Sequence, residues 1–141
     1  GWIPRKVTPQ SGEFAIVGGK QGIHSHTMTQ NIACLNAISR EYHMERLWIS
    51  AQDAEKLGVQ TGDVVEVASS EHTGQVEVRV TQRLKPGVVF LPTHYGGDSP
   101  AQTRAYQYGI ALTDFIPFDM EPGTGSMMSQ EVAVTVKKVE A

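Results

Sequence analysis

The ten residues GIHSHTMTQN (22–31) place two histidines two apart, with hydroxyl and amide side chains around one methionine behind them. Little in this stretch belongs in a core, so it reads as a solvated loop, a metal site or a polar clamp. In an extended segment His24 and His26 share a face, which makes a two-histidine ligand pair geometrically possible. No Cys, Asp or Glu lies within several residues of them, and His94 would have to supply a third ligand from a distant loop. A zinc site wants three or four protein ligands, each backed by a further hydrogen-bond partner. The plain alternative is a pair of histidines hydrogen-bonded at a loop surface.

Nucleophilic chemistry finds less support. Ser25 and Thr27 adjoin histidines in sequence, but a catalytic relay is a spatial arrangement. No G-x-S-x-G elbow occurs. Cys34 sits among apolar neighbours, where a thiol is expected to be buried and inert. The glycine-rich VGGKQG (17–22) matches neither the Walker pattern nor G-x-G-x-x-G and reads as a tight strand exit.

A second polar turn, THYGG (93–97), also follows an apolar run. Gly96 and Gly97 lack a Cβ, so a ligand could approach their N–H groups closely; the plain alternative is two turn glycines. His, Thr, Ser and Asn offer mixed donors and acceptors that suit a heterocycle and phosphates without net positive charge. Two such loops in one small domain favour binding over catalysis.

The elements that must position these loops are mostly strands. FAIVGG (14–19) and RLWIS (46–50) are apolar runs suited to buried strands. NIACLNAIS (31–39) fits a short helix or an irregular packed turn. SAQDAEKLG (50–58) predicts a two-turn helix over Ala51 to Leu57: Ser50 is the N-cap, Asp53 completes a capping box, and Gly58 takes the left-handed C′ position. Val65 and Val67, then Val76, Val78 and Val80, alternate with polar residues. This predicts a hairpin of Val64–Ser69 and Gln75–Thr81 around the turn EHTG. KPG is the next turn, VVFLP (88–92) the next strand, and EVAVTVKKV (131–139) the last. Residues 93–130 show little periodicity, and a connection this long signals function or a bound partner. The expected architecture is mainly β with short helices and long loops, closed into a small barrel that leaves no free edges.

Composition bounds the rest. A chain of 141 residues fits one domain able to bury roughly two thirds of its unfolded surface. Its net charge of −3 and the lack of a Lys/Arg block argue against nucleic acid or a polybasic membrane surface as partner. No apolar run approaches the length of a membrane span and no signal-peptide pattern opens the chain. The single cysteine excludes an internal disulfide. GWIPRKVTPQSG (1–12), with Pro4 and Pro9, reads as a linker from a preceding domain, leaving 13–141 as the folded unit.

LWISAQDAEKLGVQTGDVVEVASSEHTGQVEVRVTQRLKPGVVFLPTHYGG (47–97) resembles the C-terminal molybdopterin-dinucleotide-binding domain of the dimethyl-sulfoxide-reductase family of molybdenum and tungsten enzymes. The matching pieces, in order, are Ala54 to Gly58, Gly62-Asp63, Pro86 to Phe90 and His94 to Gly97, with Phe14 through Asn31 upstream. Together they cover nearly the whole chain. HSHTMTQN is most similar to thiosulfate and polysulfide reductase catalytic subunits.

The resemblance implies a double-psi β-barrel, with Gly62-Asp63 as its characteristic turn, where glycine tolerates the backbone and the carboxylate bonds nearby N–H groups. It implies molybdopterin guanine dinucleotide as cofactor, with molybdenum or tungsten held by the parent enzyme and an iron–sulfur cluster elsewhere in the parent chain. Carried over residue by residue, His24, Ser25, His26, Thr27, Met28, Thr29 and Asn31 form a first contact loop, and His94, Tyr95, Gly96 and Gly97 a second. Where the family presents an Asn to the pterin, this chain has Thr113 and Asp114, and Gln130 precedes the last strand. Met28 would pack on a flat ring or fill a core gap. The implied partners are the remaining domains of the same catalytic subunit and an electron-transfer subunit; the implied compartment is the periplasm. Catalysis is not expected of this domain alone. The alternative is a double-psi barrel acting as a protein-interaction module or stand-alone small subunit.

Overall fold

The computed structural model describes residues 8–26, 28–127, 129 and 132–140. The alternating valines and the apolar runs become six strands: β1 (Glu13–Gly19), β2 (Leu47–Ser50), β3 (Val64–Ala68), β4 (Thr73–Thr81), β5 (Val88–Pro92) and β6 (Val132–Lys138). They close in the order β1-β5-β2-β4-β3-β6, and β6 returns to β1. Two of the pairings are parallel, β1 with β5 and β2 with β4; the other four are antiparallel. This is the mainly β double-psi barrel that the resemblance implied. Among the described residues no helix is long and apolar enough to cross a membrane.

Period-2 patterning decides what faces inward. Ile16, Leu47, Ile49, Val65, Val67, Val78, Val89, Leu91 and Val134 are all at most 1% exposed and form one continuous core. A 3₁₀ turn, Leu112–Phe115, supplies the plug: its first and last residues lie three apart on one side, and both are buried. The stretch 93–130 therefore contains a packed element that its lack of periodicity hid. The hairpin turn is also shorter than expected. β4 starts at Thr73, and the N–H of Ser69 donates to the carbonyl of His72, so Thr73 and Gly74 of EHTG belong to the strand.

Helix α2 (Ala51–Leu57) forms where its caps predict, with Gly58 at φ 64°. Ser50 Oγ accepts from the Asp53 N–H at 3.1 Å, and the Ser50 hydroxyl donates back to Asp53 Oδ2 at 2.7 Å. The same carboxylate oxygen accepts the N–H of Gly87 at 2.8 Å, so a helix cap also holds the turn entering β5. The Gly62-Asp63 turn works as its chemistry suggests. Gly62 takes φ 98°, and Asp63 Oδ2 accepts from the Gln60 N–H at 2.9 Å and from Lys138 Nζ at 2.8 Å.

Helix α1 (Ala33–Glu41) settles the alternative left open for 31–39. It packs with its polar side inward: Asn36 and Ser39 are buried, while Ile32 just before it, Ile38 and Tyr42 just after it are exposed. Cys34, expected to be buried, is exposed for that reason.

Candidate functional site

Because β1 and β5 run parallel in register, with Gly19 opposite Pro92, the loops that follow them leave from the same rim of the barrel. The Thr93 N–H donates to the Gly19 carbonyl at 2.9 Å and fixes both exits. A cavity of about 730 Å³ opens there, within the range of small-molecule and cofactor sites. Its wall comes from three segments: Gly19 at the end of β1 with Lys20 just beyond it; Thr93 to Ser99, with Gln102 and Ala105, after β5; and Ala111 to Asp114 at the 3₁₀ turn. The second loop (His94, Tyr95, Gly96, Gly97) and the Thr113–Asp114 pair thus share one wall.

His94 is the most exposing feature of that wall. Its backbone sits at φ 80°, a left-handed conformation that few non-glycine residues adopt. Its Nε2 is buried and has no hydrogen-bond partner among the described residues. Burial, then the Lys20 ammonium, then His26 hold His94 below the ordinary imidazole range, so it meets neutral pH uncharged. His26, itself at φ 50° and exposed, is therefore close enough for its charge to be felt at His94.

The first loop is organised from within. His24 is 6% exposed, its Nδ1 lies 3.0 Å from Thr29 Oγ1, and its Nε2 lies 2.5 Å from Ser39 Oγ on α1. Thr29 Oγ1 also accepts the Ser25 N–H at 3.0 Å. Ser39 Oγ is 3.3 Å from the Tyr95 hydroxyl, and the His24 and Tyr95 rings meet edge-on with centroids 5.8 Å apart. With both nitrogens committed to protein hydroxyls, His24 is a brace between the two loops and is unavailable as a metal ligand in this arrangement. Burial, then the charge of His94, lower its pKa. Asn31 is a second brace: its Oδ1 accepts the N–H groups of Arg104, at 2.8 Å, and Ala105, at 3.3 Å. Met28 projects into solvent at 80% exposure, so it fills no core gap. Thr27 and Gln130 lie outside the described residues.

Gly96 corrects the reason given for it. A Cβ there would come within 2.2 Å of the Ala111 nitrogen and 2.4 Å of the Ile110 carbonyl carbon. The Gly96 N–H already donates to the Tyr108 carbonyl at 2.7 Å. The close approach that demands glycine is therefore made by the protein's own backbone. At Gly97 a Cβ would meet the end of the Gln102 side chain at 3.3 Å.

Lys20, Gln102, Asp98 and Ser99 line the cavity, and sequence reasoning named none of them. Lys20 had a signal, since it stands inside the VGGKQG that fits no phosphate-loop pattern. Gln30 also went unnamed; it is 3% exposed, and both polar atoms of its amide group lack partners among the described residues. On another face, the ligand atoms of His43, Glu45 and Glu77 all lie within 4.8 Å of one another. Arg46 already engages Glu77 Oε2 through Nε at 2.8 Å and Nη2 at 2.6 Å, and Tyr108 donates its hydroxyl to Glu45. That group is an ion-pair cluster.

Residues 14–133 match the family described as "Molydopterin dinucleotide binding domain". The chain is 23% identical over 119 residues to the thiosulfate reductase molybdopterin-containing subunit of Salmonella typhimurium, covering 84% of this chain and 15% of that protein. It is 32% identical over 98 residues to a formate dehydrogenase subunit alpha of Methanocaldococcus jannaschii, covering 70% of this chain and 14% of that one. Acetylene hydratase from Pelobacter acetylenicus superposes with a TM-score of 0.71 at 11% identity, over 89% of this chain and 18% of that chain; the likeness is one of fold. The chain spans a small part of the length of each.

Proposed function

This chain belongs to the molybdopterin dinucleotide-binding domain family, and from that premise we propose that the cavity at the β1–β5 rim seats part of molybdopterin guanine dinucleotide. The observation that carries the reading is the buried, partnerless Nε2 of His94 in the cavity wall. An unpaired buried polar atom is costly, and a heterocycle rich in donors and acceptors would satisfy it. Its neutral imidazole can donate or accept according to tautomer, so the wall needs no dense positive charge to hold the ligand.

In this reading His94 and Thr113 contact the ligand directly, the exposed residues Ser25, His26 and Met28 lie over it, and Asp114 offers an acceptor. Tyr95, His24 and Asn31 position those groups. Gly96 keeps the wall tight against Ile110–Ala111. When bound, the cofactor supplies metal-centred oxygen- or sulfur-atom transfer; the protein's part is to bind, orient and exclude water. The remaining domains of a larger catalytic subunit would cover the outer side of α1, where Ile32, Ile38 and Tyr42 are exposed. The iron–sulfur cluster and an electron-transfer subunit belong to that larger assembly, and we place it in the periplasm.

For the substrate we favour a reducible sulfur compound such as thiosulfate or polysulfide. The support is the HSHTMTQN loop and an alignment to a thiosulfate reductase subunit that covers most of the chain. The formate dehydrogenase relative is the competing reading. The test uses the full-length subunit, comparing parent with His94→Ala for molybdenum and guanine nucleotide retained per chain. Loss of one buried hydrogen bond should weaken retention about tenfold or more. Unchanged retention in a folded variant would favour the protein-interaction module instead. Turnover of thiosulfate against formate by the parent separates the two substrates.

A further inference from the structure

Lys20 enters the cavity wall from a fixed backbone. Just before it, a Cβ on Gly18 would lie 2.1 Å from Leu112 Cδ2, and one on Gly19 would lie 2.8 Å from Phe90 Cε2. The Gly19 carbonyl is held by Thr93, so the chain leaves β1 along one path. Resting on the cofactor reading above, we propose that Lys20 is the phosphate-contacting residue of this site, its ammonium pairing with the pyrophosphate of the dinucleotide. It thereby fixes which part of the elongated ligand lies at the β1–β5 rim.

Three observations carry this. Lys20 is the sole Lys or Arg among the described residues lining the cavity, beside two carboxylates, Asp98 and Asp114. Neither carboxylate pairs with it, and among the described residues Lys20 forms no ion pair or hydrogen bond. Its charge nevertheless reaches the half-buried His94, so the ammonium of this cavity-lining residue lies within electrostatic range of the ring whose Nε2 is unsatisfied. An unpaired cation next to a neutral hydrogen-bonding group is complementary to a diphosphate joined to a heterocyclic frame.

The experiment compares full-length parent, Lys20→Gln, Lys20→Arg, the cavity variant His94→Ala and the surface control Lys85→Gln. Guanine nucleotide and molybdenum per chain are measured after gel filtration at about 50 and 500 mM salt. Lys20→Gln should retain about tenfold less nucleotide at low salt and lose most of the parent's salt dependence. Lys20→Arg should restore both, and Lys85→Gln should match the parent. Equal melting temperatures of Lys20→Gln and parent, both stripped of cofactor, assign the loss to binding. If His94→Ala sheds the nucleotide while Lys20→Gln keeps it with unaltered salt dependence, the Lys20 assignment is overturned and the cofactor reading stands. A parent subunit that retains no guanine nucleotide overturns both.

Discussion

Replacing Gly96 by alanine puts a methyl group where the Ile110–Ala111 backbone already lies. The added carbon would sit 2.2 Å from the Ala111 nitrogen and 2.4 Å from the Ile110 carbonyl carbon, so no side-chain rotation can relieve the overlap. The residue also occupies φ 76°, which costs an L-residue about 1–2 kcal/mol. Forcing a methyl(ene)-sized group into packed backbone adds about 1–3 kcal/mol. The expected destabilisation is therefore about 2–5 kcal/mol. For a domain of this size that lowers the melting temperature by roughly 6–20 °C. Gly97→Ala is the internal control. Its φ is not in the left-handed region, and its new methyl meets only the flexible end of Gln102 at 3.3 Å, so the change should stay within about 0.5 kcal/mol. Urea denaturation of the two variants beside the parent decides the matter. Equal stabilities for the two alanine variants would refute the claim that protein backbone, rather than ligand access, requires glycine at 96.

Asp53→Asn should cost about 2–3 kcal/mol at pH 7, because a buried carboxylate holds both the Ser50 hydroxyl and the Gly87 N–H; a loss below 0.5 kcal/mol, roughly, would contradict this. Burial raises the Asp53 pKa, but the hydrogen bonds from Gly87 and Ser50 and the charge of Lys56 outweigh it and leave the group below its ordinary 3.8. The linked stability is thus complete above that value and disappears as pH falls through the lower folded value, so parent and variant should converge in acid. Ser50→Ala should lose about 1 kcal/mol, read from the same denaturation curves. His24→Ala should cost about 2–3 kcal/mol by leaving the Ser39 and Thr29 hydroxyls without their shared partner. In NMR titration the His24 ring should protonate below pH 6.5, and a normal or raised midpoint would remove its role as a buried neutral brace.

Local chemistry was the legible part of this fold. Ser50, Asp53 and Gly58 specify α2 within nine residues, and the alternating valines of β3, β4 and β6 declare their buried faces. Register was not legible, because pairing β1 in parallel with β5 joins residues more than seventy apart, and no periodicity records that. For the site, the sequence indicated two polar loops after two apolar strands, and the parallel pairing brings them to one rim. It misjudged the direction of side chains in α1. There the buried positions are polar because Asn36 meets the Arg104 carbonyl and Ser39 meets His24 and Tyr95; that arrangement exposes Cys34. Gln102 escaped notice because its significance comes from spatial neighbours that no spacing reveals, and Lys20 because the VGGKQG that holds it fits no phosphate-loop pattern.

The barrel's seam has a consequence for the order of its assembly. β6 is the last strand made, yet it bridges the first strand, β1, and the hairpin strand β3. Until β6 is made, a nascent chain carries two open sheet edges flanking its valine-rich interior, the kind of surface on which chains pair with one another. Closure is therefore a late and long-range event, slow by its topology.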